Sequence, residues 1–341
     1  MSRFLLVGLL VVAAVLPFYL EGFWLQTGLF AMASAIGAIG LTLLVGTTGQ
    51  LSLGHAFFLA VGAYGYCFLA GGEAVPGIES PAGLGLPPLV AMAGAVGLAG
   101  LAGLAFSPIA GRVRGIYLGI ASIGLVFLGQ HILLNATGIT GGFNGRDASP
   151  FALGGFAFSD DGPALELLGV PFGQLERLWY LGLVLVIGAA WLARNMIAGR
   201  PGRALETVRD SELAAAAMGI DVRRAKAAAF CVSSMYAGLA GALFALAYGR
   251  IVPDSFGLVL SIEFLVMVVL GGAGSIGGAI AGAFFVAALP PVLDHYSDLL
   301  PFVGEPGSGA LGPAQVSQLI FGAALVAVLI HRSASRPTSS V

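Results

Sequence analysis

The run VMVVLGGAGSIGGAIAGAFF, residues 266–285, sets Gly272, Gly274 and Gly277 at the spacing G-x-G-x-x-G. Between a strand and a helix, that spacing brings a backbone against a dinucleotide pyrophosphate. Between two apolar helices in a bilayer, Gly271, Gly272 and Gly274 instead make a sharp turn and a close crossing, with the freed backbone groups satisfied by neighbouring helices. Three other places carry polar chemistry. GTTGQLSLGH, residues 46–55, gathers Gln50, Ser52 and His55 among Gly46, Gly49 and Gly54. It reads either as unwound backbone lining a polar path or as a tight turn with an ordinary helix cap. Glu263, inside SIEFLVMVVL, is a carboxylate at a depth where insertion costs about 2.5–3.5 kcal/mol, so it must face the bundle interior, joining helices or meeting a solute. Asn135 and the stretch TGGFNG, with Asn144, form a gate or docking surface, or else a helix cap and turn.

Enzyme chemistry finds no such cluster. Lys226 is the only lysine, which excludes a G-x-x-x-x-G-K-[ST] phosphate loop, and His55, His131, His295 and His331 have no metal-ligand spacing. Neither an enzyme, nor a bound metal or cofactor, nor a nucleic-acid partner is expected. Cys67 and Cys231 each lie alone in apolar sequence and read as small buried side chains.

Those residues must be positioned by elements that water does not surround. Charged residues are 9% of the 341, the apolar set is 58%, and mean hydropathy is +0.96. The 53 glycines suit helices that pack in lipid by close backbone approach, as in GAVGLAGLAG with Gly94, Gly97, Gly100 and Gly103. A dinucleotide fold would need polar helix faces that the flanks of 266–285 do not supply.

Apolar stretches fall near residues 4–20, 25–46, 51–70, 87–108, 115–134, 178–197, 227–249, 256–271, 276–293 and 314–331. The expected fold is therefore all-α and polytopic, with about ten transmembrane helices in one domain over 1–331. The first stretch reads as a retained span rather than a signal peptide, since no clear small-residue cleavage site follows it. With Arg3 inside and the spans alternating, Arg112, Arg114, the seven basic residues from Arg194 to Lys226, Arg332 and Arg336 all fall on the cytoplasmic side. Only Arg146, Arg177 and Arg250 fall outside, so the positive-inside rule is met with both termini cytoplasmic. Residues 71–86 and 135–177 are then external, 198–226 is a cytoplasmic loop, and 332–341 is a disordered cytoplasmic tail.

The cytoplasmic loop has its own pattern. In GRALETVRDSELAAAAMGIDVRRAKAAAF, Glu206, Asp210 and Glu212 come early, alanines follow, Gly219 stops the helix, and Arg223, Arg224 and Lys226 come last. That order predicts a short helix, about 203–219, lying on the inner face and able to be held by a cytoplasmic partner.

Four blocks, GTTGQLSLGHAFFLAVGAY, TGGFNG, RDSELAAAAMGI and SIEFLVMVVLGGAGSIGG, resemble in order the permease family of branched-chain amino-acid ABC importers, of LivM type, over roughly 35–290. Gly277 stands where that family often has a bulky residue. The resemblance implies a subunit of the bacterial inner membrane, paired with a second permease, two cytoplasmic ATPase subunits that bind the ATP, and a periplasmic solute-binding protein. It implies that Glu206, Arg209, Glu212, Ala215 and Gly219 belong to a coupling helix, with Glu212, Ala215 and Gly219 at the matching positions. The solute would be a branched-chain or related amino acid, an amide or urea. The competing expectation is an ion-coupled secondary transporter of small polar solutes using Glu263 or His55 as proton carrier.

Overall fold

The computed structural model describes residues 3–72, 81–113, 115–160, 165–167, 170–297 and 312–334. A helix stands in each of the ten apolar stretches: α1 (Arg3–Val15), α2 (Gly22–Thr48), α3 (His55–Ala70), α4 (Pro88–Arg112), α5 (Ile116–Asn135), α7 (Gln174–Ala198), α10 (Val222–Tyr248), α11 (Leu258–Gly271), α12 (Ile276–His295) and α13 (Pro313–Ala334). Among the described residues, six of them (α2, α4, α5, α7, α10 and α12) are long and apolar enough to cross a membrane. The apolar stretches of α1, α3, α11 and α13 are shorter. The helix expected to end near 331 runs to Ala334, so Arg332 is helical rather than part of a tail. Residues 335–341 lie outside the described residues, as does 73–80 of the first external loop.

The helix α2 is apolar all round and is the buried axis of the bundle, as a helix with no polar face must be. The second axis, α10, packs between α2, α3 and α4. The close crossings use glycine where a side chain would collide with backbone. A Cβ on Gly62 of α3 would run into Gly238 of α10, and one on Gly103 of α4 into the Ser234 side chain. Of the GAVGLAGLAG glycines, Gly94 meets Leu69 and Gly100 meets Met235, while Gly97 faces open space.

Contacts at the helix ends fix an alternating direction. At one end α2 meets the tip of the segment after α7, α4 ends beside Gln50, and α5 begins beside Leu51. Arg112, Arg194, Arg200, Arg203, Arg209, Arg223, Arg224 and Lys226 gather there, and it is called the basic end below. At the other, the ribbon end, α6 (Thr137–Thr140) leads into three two-stranded ribbons. These are β1 (Arg146–Asp147) with β6 (Arg250–Ile251), β2 (Ala152–Leu153) with β3 (Phe156–Ala157), and β4 (Leu165–Leu167) with β5 (Val170–Phe172), all antiparallel. The end of α1 is held there too, its Ala13 and Ala14 carbonyls accepting from the Trp179 indole and the Tyr180 hydroxyl.

Two of the three arginines placed outside by the charge pattern are stitches in this cap. Arg146 is 1% exposed, donates to the carbonyls of Cys67, Ile139 and Ala82, and lies 5.5 Å from the Phe68 ring. Arg177 donates to the carbonyls of Phe172, Ala157 and Ser159. A buried guanidinium needs its fork of donors filled, and loop carbonyls fill it here. Burial lowers the Arg146 pKa below its ordinary value.

The glycine motif 266–285 is helix, turn, helix, with no strand before it. Gly272 and Gly274 both take φ of +96°, and Gly271 crosses the Gly278 backbone. Ser275 then caps α12, its hydroxyl accepting from the Gly278 amide at 3.1 Å. Ser275→Ala is expected to cost about 1 kcal/mol, read as a lower unfolding temperature in mild detergent, and Ser275→Gly only a few tenths.

Candidate coupling and translocation site

The segment between α7 and α10 folds as two helices, not the single helix expected over 203–219. Gly199 and Pro201 start α8 (Arg200–Asp210), and Leu205 and Val208 bury its inner face. Ser211 then turns extended and caps α9 (Glu212–Ala217), accepting from the Ala214 amide at 3.2 Å. Gly219, at φ +81°, ends α9, with the Ile220 amide returning to the Ala215 carbonyl. Arg223, Arg224 and Lys226 lie in the first turns of α10, so they do not complement the α9 dipole as the charge order suggested. Asp221 caps that helix and pairs with Arg224 at 3.2 Å.

Of the five expected coupling residues, three turn inward. Arg209 reaches across the end of α2 and donates to the Gly46 carbonyl at 2.6 Å. That carbonyl belongs to the last turn of α2, where no helical partner exists and a cation is favoured by the dipole. Glu212 pairs with Lys226 at 2.6 Å, with the lysine buried. Ala215 is fully buried, whereas Glu206 and Gly219 are exposed. The outward surface of α9 is apolar: Leu213 is 85% exposed and Met218 64%, while α8 exposes Arg203, Glu206 and Asp210. Sequence reasoning passed over Leu213 and Met218, drawn to the acids, although Leu213 is the one large apolar residue before an alanine run whose buried member is Ala215.

The break between α2 and α3 runs deep into the bundle. Gly49 ends α2 in the left-handed region at φ +68°, and residues 49–54 are not helical. Gln50 stays at the basic end, donating to the Ala110 carbonyl at 3.0 Å. Leu53 donates its amide to Ser122 at 2.8 Å, His55 places Nε2 2.9 Å from the Gly37 carbonyl, and the Ala56 amide meets Ser261 at 3.0 Å. Gly37 lies eleven residues above the end of α2, so the chain climbs about 16 Å into the bundle before turning helical. Unwound backbone at that depth survives because serine hydroxyls and protein carbonyls satisfy it. The reading as a tight turn at the surface does not hold. Ser52 and His55 are both buried, and Gly54 crosses the Ser122 backbone closely.

The two glycine breaks and the arm converge. A Cβ on Gly46 would lie 2.6 Å from both the nitrogen and Cα of Gly274. Arg209 therefore holds one side of the last α2 turn, and the α11–α12 turn abuts the other. Asn144 is elsewhere, exposed at the ribbon end, where its carbonyl accepts from Arg250 at 3.1 Å. Glu263 is half-buried in α11, nearer the ribbon end than the glycine turn. Among the described residues, no group of three or more histidine, cysteine, aspartate or glutamate side chains could hold a metal.

Comparison with known proteins is by sequence. Residues 23–329 match the model described as the branched-chain amino acid transport system permease component. The chain is 31% identical over 307 residues, 87% of its length and 70% of the relative's, to the high-affinity branched-chain amino acid transport system permease protein LivM of Escherichia coli. It is 26% identical over 280 residues to the high-affinity branched-chain amino acid transport system permease protein BraD of Pseudomonas aeruginosa, covering 79% of this chain and 86% of that one. The autoinducer 2 import system permease protein LsrC of Klebsiella pneumoniae is 34% identical over 137 residues, 38% of this chain and 39% of its own. No solved structure matches. The chain belongs to the permease family of branched-chain amino-acid ABC transporters and is of LivM type.

Proposed function

We propose that this chain is one of two membrane subunits of an ABC importer for branched-chain or related amino acids. On this reading about ten helices span the bacterial inner membrane, the basic end is cytoplasmic with both termini, and the ribbon end faces a periplasmic solute-binding protein. A second permease completes the path. Two cytoplasmic ATPase subunits bind ATP, so the chain itself needs no cofactor.

The carrying observation is the α8–α9 arm: a two-helix element with an exposed apolar patch on α9 and a charged bond from Arg209 to the end of α2. Leu213 and Met218 are the surface that an ATPase groove would cover. ATP moves the arm only by binding one arrangement of the assembly more tightly than the other. Arg209 passes that movement to the end of α2, and Gly46 passes it to the α11–α12 turn.

Leu213→Asp is expected to weaken retention of the ATPase subunits about fivefold, close to 1 kcal/mol, with the permease pair still inserted. Co-purification in detergent measures it, and undiminished retention would defeat the reading. Uptake by the single chain driven by an ion gradient, without ATPase subunits, would establish the ion-coupled transporter instead.

A further inference from the structure

The corner between α7 and α8 carries one sign of charge. Arg194, Arg200 and Arg203 are all exposed there, and none of them forms an ion pair among the described residues. The pairs at this end are Arg209 with Asp210, Arg224 with Asp221 and Lys226 with Glu212. Arg203 folds back on α7, its Nη1 donating to the Ala198 carbonyl at 3.2 Å. Ala198 is the last residue of α7 and stands one turn beyond Arg194, so the Arg203 head group is brought to the helix end from which Arg194 projects.

The face of α7 that carries Arg194 continues toward the ribbon end as Trp191, Ile187 and Val184, all exposed, while Gly182, Val186, Ala189 and Ala193 are buried on the opposite face. A Cβ on Gly188 would meet nothing within 4 Å, which leaves a notch between Val184 and Trp191. Of the three tryptophans, Trp179 is buried and Trp24 half-buried; Trp191 alone faces outward, at 63% exposed. From the ribbon end the stripe runs apolar, aromatic, cationic, the order of hydrocarbon, interface and headgroup. An anionic phospholipid is complementary to it along its whole length, whereas a zwitterionic one brings a cation of its own to the arginine corner.

We propose that this stripe binds one anionic phospholipid, its phosphate held between Arg194 and Arg203 and an acyl chain lying in the Gly188 notch against Trp191. The assignment rests on α7 crossing the bilayer, as the importer reading has it, and not on the solute carried. Because Arg194 belongs to α7 and Arg203 to α8, the lipid ties the root of the arm to the membrane surface.

The full chain in phosphatidylcholine vesicles tests this through quenching of Trp191 by brominated lipid, taken as the part of the signal that Trp191→Phe removes. Brominated phosphatidylglycerol is expected to occupy the stripe roughly 25-fold more readily than brominated phosphatidylcholine, about fivefold for each arginine. Arg194→Gln and Arg203→Gln should each lower that preference about fivefold, and together abolish it. Arg223→Gln removes the same charge from an exposed place on α10 and should leave the preference unchanged. Gly188→Leu fills the notch from a position where a Cβ touches nothing else in the chain, and should at least halve the quenching. Equal quenching by the two lipids in the unaltered chain would overturn the assignment. So would a loss in Arg223→Gln equal to that in Arg203→Gln, which would reduce the effect to net charge. Displacement of the lipid by inorganic phosphate would make the corner a plain anion site, and loss of the second permease from the assembled importer in Gly188→Leu would give the stripe to that subunit; either result sinks the proposal. If neither brominated lipid quenches Trp191, the membrane placement of α7 fails, not this assignment alone.

Discussion

Arg209→Ala is expected to lower ATP-driven uptake roughly thirtyfold while ATP hydrolysis by the assembled importer continues. The guanidinium donates to Gly46 at 2.6 Å, a charge-assisted bond to a carbonyl with no helical partner. Such bonds contribute about 1.5–3 kcal/mol, a factor of roughly ten to a hundred if the whole bond is made in one conformation of the cycle and not in the other. Its side chain is 45% exposed and its pairing with Asp210 is at 3.4 Å, so deletion leaves no buried charge and the fold should persist. Arg209→Lys retains a cation without the planar fork and should recover part of the uptake. Proteoliposome uptake against hydrolysis, measured on the same preparation, separates the cases. If Arg209→Ala transports at the unaltered rate, Gly46 receives its movement by another route.

The long buried helices were legible in the sequence because their cause is local. A run such as FAMASAIGAIGLTLLVG has no polar face, and lipid or a bundle core is the only place for it. Alternation of the basic residues was legible for the same reason, and the structure brings Arg112 and the seven from Arg194 to Lys226 to one end and Arg146, Arg177 and Arg250 to the other. The depth of the 49–54 segment was not. Its glycines announce a break, but how far the chain climbs before α3 starts depends on Ser122, Ser261 and Gly37, which are 18 to 205 residues away from the groups they hold. The division of the arm was half-legible. Ser211 followed by Glu212 is a helix-start signature, yet the alanines after it have such high helix propensity that one continuous helix over 203–219 was the natural expectation. Which charged residues of the arm face inward needed tertiary structure, since Arg209 and Glu212 find their partners in α2 and α10.

The ion pair between Glu212 and Lys226 makes the last prediction, because it separates an internal brace from a contact read by a partner. The two groups are 2.6 Å apart, the lysine side chain 6% exposed and the carboxylate 28%. Removing one partner of a buried pair leaves an uncompensated charge, at about 3–5 kcal/mol; the water still reaching Glu212 places this pair toward the lower figure. Glu212→Lys sets two cations together and should leave the arm unfolded on α10, with the ATPase subunits lost on purification and uptake abolished. Glu212→Lys combined with Lys226→Glu restores opposite charges across the same gap. If the pair is an internal brace, the double variant should recover at least half of ATPase retention and uptake. If Glu212 instead acts as a negative charge recognised by the ATPase, reversal at 212 stays inactive whatever stands at 226, and Lys226→Met alone should leave assembly intact. A double variant as inactive as the single one would therefore show that the bond seen between α9 and α10 is not what joins the arm to the membrane helices.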